Sequence, residues 1–202
     1  FTMVKDDGGG IYTWKGAENN TANFERKIIN NIILKGKGAP SGTNNTFQHA
    51  HGIYIDDNSD NVEISNNSIA ECSESGIYIH NSRKITISGN TLFDNEKQLQ
   101  IVHDNIVPNN PIRDVVLTNN ILFSKDARQL ATNIVSLNND VNKFGKFDSN
   151  FYCRPFEDNY VISTQNVNVG QFPQVGYKFG KWLDLAFLQL TLDTPADPNE
   201  NY

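Results

Sequence analysis

A short pattern that occurs twice between His51 and Leu92 limits the folds open to this chain more than any other feature. His51-Gly-Ile-Tyr-Ile-Asp56 leads into Val62-Glu-Ile-Ser-Asn-Asn67-Ser-Ile69, and Gly76-Ile-Tyr-Ile-His80 leads into Ile85-Thr-Ile-Ser-Gly-Asn90-Thr-Leu92. Gly52 and Gly76 are 24 residues apart, and Asn67 and Asn90 are 23 apart. Short alternating strands at such a period mark a repeat architecture. Each strand is too short to bury an apolar face alone and must gain partners from neighbouring copies. The alternation puts Ile53, Ile55, Val62 and Ile64 inside and Tyr54, Asp56 and Glu63 outside. A parallel β-helix meets these requirements, with one copy as one coil and equivalent strands stacked into long parallel sheets.

Five versions of one turn support this fold: Asn31 after Ile28-Ile-Asn, Asn67 after Ile64-Ser-Asn, Asn90 after Ile87-Ser-Gly, Asn120 after Leu117-Thr-Asn and Asn150 after Phe147-Asp-Ser. Asparagine tolerates the left-handed region and bonds readily to nearby backbone. At one turn in successive coils these residues are expected to stack as an amide ladder, which makes them scaffold.

The expected architecture is all-β, with about five coils over residues 1–154 and an irregular C-terminal cap and tail over 155–202. Gly10 aligns with Gly52 and Gly76, so the chain enters a coil pattern at once, and further coils or another chain are expected to cover the N-terminal end. The stretch 36–50 is a Gly/Ser/Thr/Asn-rich insert that delivers His49 and His51 beside Tyr54 and Asp56. Beyond Arg154 the repeat fades: Tyr160–Ile162 and Val167–Val169 read as edge strands, Trp182–Leu188 as a helical turn or a strand, and Thr194–Tyr202 as a tail. Cys72 and Cys153 fall in different coils, too far apart in the repeat for a disulfide to be expected.

A net charge of -6 without a basic tract argues against a nucleic-acid partner. No apolar run approaches membrane-spanning length, so no membrane is expected as a partner.

Stacked outward positions are the place to look for chemistry. One column reads Tyr12, Tyr54, Tyr78, Gln100, and the next reads Trp14, Asp56, His80, Val102. Aromatic rings beside polar groups suit a sugar, with Tyr12, Trp14, Tyr54, Tyr78, His49, Gln100 and Glu74 as substrate-binding candidates. Glycoside hydrolysis needs two carboxyl groups flanking the bond. Asp56 is one, with Asp7 or Asp57 as the other, while His51 and His80 are bases or orient a carboxylate. Zinc on His49, His51 and His80 lacks a clear fourth ligand, and no metal is assigned. A β-eliminating lyase is the first alternative chemistry, with calcium held by acids such as Asp56, Asp57 and Asp60. A non-catalytic glycan-binding or structural domain is the alternative of a different class.

Asp7-Gly-Gly-Gly-Ile-Tyr12, Gly52-Ile-Tyr-Ile-Asp-Asp57, Asn61 to Ile69 and Asn81 to Asn95 resemble the right-handed parallel β-helix repeats of glycoside hydrolases and polysaccharide lyases, including pectate-lyase-like enzymes. The resemblance runs from Asp6 to Tyr152. It implies the right-handed fold, a poly- or oligosaccharide partner and an extracellular or periplasmic location.

Overall fold

The structure, a computed structural model, describes residues 1–4, 6–16, 25–39, 48–104, 110–155, 161–164, 167–168, 171–178 and 181–186, with side chains up to residue 164. Five coils of three strands each make up most of it. The first holds β1 (Gly8–Thr13), β2 (Arg26–Ile29) and β3 (Ile32–Leu34), and the second holds β4 (Ala50–Ile55), β5 (Val62–Ser65) and β6 (Ser68–Ala70). The third holds β7 (Ser75–His80), β8 (Ile85–Ser88) and β9 (Thr91–Phe93). The fourth holds β10 (Lys97–His103), β11 (Val115–Thr118) and β12 (Ile121–Phe123), and the fifth holds β13 (Leu130–Ser136), β14 (Gly145–Asp148) and β15 (Phe151–Cys153).

First, second and third strands of each coil stack into three separate sheets. All pairings among these fifteen strands are parallel, and the register aligns repeat with repeat: Ile53 with Ile77, Ile64 with Ile87, Ile69 with Leu92. Alternation drives one side of every strand inward. Ile53, Ile55, Ile64, Ile77, Ile79, Ile85, Ile87, Leu92, Leu99, Ile101 and Leu117 are fully buried in one continuous core. Each such side chain contributes about 1.5–3 kcal/mol relative to exposure.

The asparagine ladder is present and continuous. Nδ2 of Asn31, Asn67, Asn90 and Asn120 donates in each case to Oδ1 of the next coil's asparagine at 2.9 Å. The backbone N–H of each donates to the same oxygen. The left-handed residue is the one before the ladder asparagine: Asn30, Asn66, Gly89, Asn119 and Ser149 have φ between 55° and 66°. Backbone curvature and amide stacking are thus divided between two adjacent positions.

Beyond the coils, β16 (Ile162–Thr164) adds in parallel to β13, and β17 (Val167–Asn168) pairs antiparallel with β16. β18 (Gln171–Lys178) and β19 (Lys181–Ala186) form a separate antiparallel pair, so the stretch from Trp182 is strand rather than helix as far as Ala186. Tyr160, Val169, most of the insert after Ala39 and the tail from Thr194 lie outside the described residues. Cys72 and Cys153 are free thiols. Among the described residues, no helix is long and apolar enough to cross a membrane.

Candidate functional site

The outer face of the first sheet gathers the titratable groups. Strand register places Tyr12 beside Tyr54, Tyr54 beside Tyr78 and Tyr78 beside Gln100. Ring centroids are 5.0 Å apart for Tyr12 and Tyr54 and 4.7 Å for Tyr54 and Tyr78, the latter pair stacked. His51 joins this wall, 4.8 Å from the Tyr54 ring and 4.6 Å from the Tyr78 ring. Gln100 is nearly buried and accepts the Ser75 hydroxyl at 2.7 Å. Tyr12 is 48% exposed and Trp14 59%, against 3% for Tyr54, so the wall opens to solvent at its first-coil end.

His80 is the hub at one side of the wall. Its Nδ1 lies 2.8 Å from Asp56 Oδ1 and 3.2 Å from Asp57 Oδ1, and its Nε2 lies 2.9 Å from Asp104 Oδ2. The divergence expected of Asp56 and Asp57 does not occur, because β4 ends at Ile55 and the Asp57 N–H turns back to donate to Asp56 Oδ1 at 2.9 Å. Asp56 Oδ2 accepts the Tyr12 hydroxyl at 2.7 Å. Asp57 accepts the Trp14 indole N–H at 3.3 Å and the Asn81 amide at 3.1 Å. Asn81 also donates to Asp104 Oδ1 at 2.8 Å and accepts the Asp104 N–H at 3.0 Å.

Electrostatics follows from these partners. Burial works against the Asp56 carboxylate, but hydrogen bonds from His80, Tyr12 and the Asp57 N–H outweigh it and hold the carboxyl below its usual range. Burial likewise opposes a charged His80, yet Asp56 and Asp104 raise the imidazole to about 9. The Asp7 carboxyl is raised by desolvation and then by the nearby Asp56 charge. Burial raises all three tyrosines of the wall.

Glu74 is the hub at the other side. Its Oε2 contacts His49 Nδ1 and lies 3.7 Å from His51 Nε2, and its Oε1 lies 3.5 Å from Lys97 Nζ. The His49 N–H donates to Asp6 Oδ1 at 2.6 Å. His51 is buried, and desolvation lowers its imidazole to about 4, so it is neutral at physiological pH. The ring packs against both Tyr54 and Tyr78, so His51 is buried rather than at the surface.

Every expected site residue thus lies along this face. Asp104 and Asn81 complete the His80 hub and were not anticipated, although register carried the signal: Val102 pairs with His80, which puts Asp104 just past the strand end beside it.

Residues 9–153 match the family described as "Right handed beta helix region". The chain belongs to that family. The right-handed parallel β-helix that the resemblance implied is therefore correct, and so is the architecture of several coils.

The curated relatives point elsewhere for activity. An L-methionine sulfoximine/L-methionine sulfone acetyltransferase of Salmonella typhimurium is 66% identical over 29 residues, 14% of this chain and 17% of that protein. The L-amino acid N-acyltransferase MnaT of Escherichia coli is 58% identical over 33 residues, 16% of this chain and 19% of that protein. A further L-methionine sulfoximine/L-methionine sulfone acetyltransferase, from Pseudomonas aeruginosa, is 75% identical over 24 residues, 12% of this chain and 14% of that protein. The chain thus spans less than a fifth of each of these relatives. No solved structure matches.

These acyltransferase relatives correct the expectation of a glycoside hydrolase, of a lyase or glycan-binding alternative, and of a poly- or oligosaccharide partner. Within the site, both Asp56 oxygens accept hydrogen bonds and its carboxyl is held low, so Asp56 is not the proton-donating member of a carboxyl pair.

Proposed function

We propose that the tyrosine wall binds the ammonium group of an amino-acid-like amine and serves acyl transfer to that nitrogen. The observation that carries this reading is a wall of three tyrosine rings with carboxylates at both sides, Glu74 at one and Asp56, Asp57 and Asp104 at the other. Ring faces and carboxylates both favour a cation, and a desolvated site strengthens each contact. Relatives that acylate amino acids or their analogues support an amine as the ligand.

The chemistry in this reading is short. The ammonium gives a proton to Asp7, whose carboxyl is raised by desolvation and by the nearby Asp56 charge. The freed nitrogen bonds to the acyl carbon of a thioester, the C–S bond breaks, and the thiolate leaves and takes up a proton.

Calorimetry with L-methionine sulfone and its N-acetyl derivative tests the binding step. The free amine is expected to bind at least tenfold more tightly, with the difference lost in Glu74→Gln. Equal binding of the two would overturn the reading. Thiol release from acetyl-coenzyme A in the presence of the amine, reduced at least tenfold in Asp7→Asn, tests the transfer step.

A further inference from the structure

We infer that Asp56, Asp57 and His80 form a binding site for a divalent transition-metal ion. Each nitrogen of the His80 ring faces a carboxylate, and a carboxylate only accepts, so each nitrogen must present a cation to it. On the Nε2 side that cation is a proton, directed to Asp104, which Asn81 in turn anchors through two hydrogen bonds. A carboxylate on the far ring nitrogen is the usual device that fixes a metal-binding imidazole.

The Nδ1 side is different. There the nitrogen faces two carboxylate oxygens, at 2.8 Å and 3.2 Å, and one N–H cannot point straight at both. A metal ion satisfies all three atoms together. The ligand atoms lie within 4.8 Å of one another, and tetrahedral zinc with bonds of about 2.1 Å sets its ligands about 3.4 Å apart. Tyr12 holds Asp56 Oδ2 and Trp14 holds Asp57 Oδ2, while Asp56 Oδ1 accepts the Asp57 N–H and Asp57 Oδ1 the Asn81 amide, so each ligand oxygen keeps a second lone pair for the ion. Side chains of His80 and Asp57 are 17% and 19% exposed, which leaves a way in for the ion and a position for water. One imidazole with two carboxylates favours zinc or manganese over calcium or magnesium, which prefer all-oxygen sites.

Calorimetry with zinc, manganese and calcium chlorides on chelator-treated full-length chain is the test. Neither amine nor acyl donor is present, so this inference and the acyl-transfer reading fail separately. One equivalent of zinc or manganese is expected, bound at least tenfold more tightly than calcium. His80→Gln and Asp57→Asn should each weaken binding tenfold or more while circular dichroism shows them folded, and the distant Asp126→Asn should not. Nitrogen-15 imidazole spectra of the wild-type chain give a second readout that needs no variant: zinc should move the Nδ1 resonance of one histidine and leave its Nε2 protonated. Absence of binding, undiminished binding in both variants, equal affinity for calcium, or an unmoved Nδ1 resonance would each overturn the inference.

Discussion

His51 and His80 belong to one face and their basicities move in opposite directions, because His51 is packed between rings while His80 is ringed by carboxylates. For His51 the folded value of about 4 lies below the unfolded value of about 6.5. The unfolded chain therefore binds the extra proton, and folding stability is complete above about pH 6.5 and lost as pH falls toward 4. The loss from this residue is on the order of 3 kcal/mol. Urea midpoints measured from pH 7.5 to 4.5 should fall less steeply in His51→Gln than in the wild type, and parallel curves would refute the assignment. The tyrosine column was readable from the sequence because identical residues recur at the repeat spacing. Asp104 was not, since it stands just past a strand end and no equal residue sits in the same place in the other coils. Its role is visible only once the register is known.

At the scale of the element, the coil depends on two kinds of position. Asn90 alone donates to Ile64 O, Ser88 O and Asn120 Oδ1, and its own Oδ1 accepts two bonds from Asn67. Asn90→Ala strands buried backbone partners on both sides and is expected to cost about 3 kcal/mol or more, read from a denaturant midpoint. Gly52 is the other kind. A Cβ there would lie 2.3 Å from Ile69 Cγ2 and 2.5 Å from Gly76 O, so Gly52→Val cannot close its coil. It should lose cooperative unfolding, whereas Gly8→Ala, which meets only the Thr2 side chain at 3.0 Å, should keep it. The ladder was legible as five like turns. The left-handed position was not, because Asn30, Asn66, Gly89, Asn119 and Ser149 share a backbone conformation rather than a residue type.

For the whole molecule, solenoid stability is close to a sum of coils and their interfaces. The chain shortened to residues 1–164, which keeps β16 on β13, should therefore unfold cooperatively, with a melting temperature within a few degrees of the full chain. A large drop would mean that residues 165–202 stabilise the last coil. Fold was legible at this scale because the period is written in the residue spacing. Activity was not, because one β-helix carries many chemistries and the face presents the same residue types to a sugar as to an amine. The ladder has a further consequence. In the amide-to-amide row every Nδ2 donates to the asparagine of the next coil and none to that of the previous coil, so the row is vectorial. Two such solenoids can continue one another's ladder only head to tail, and a head-to-head junction would set donor against donor or acceptor against acceptor.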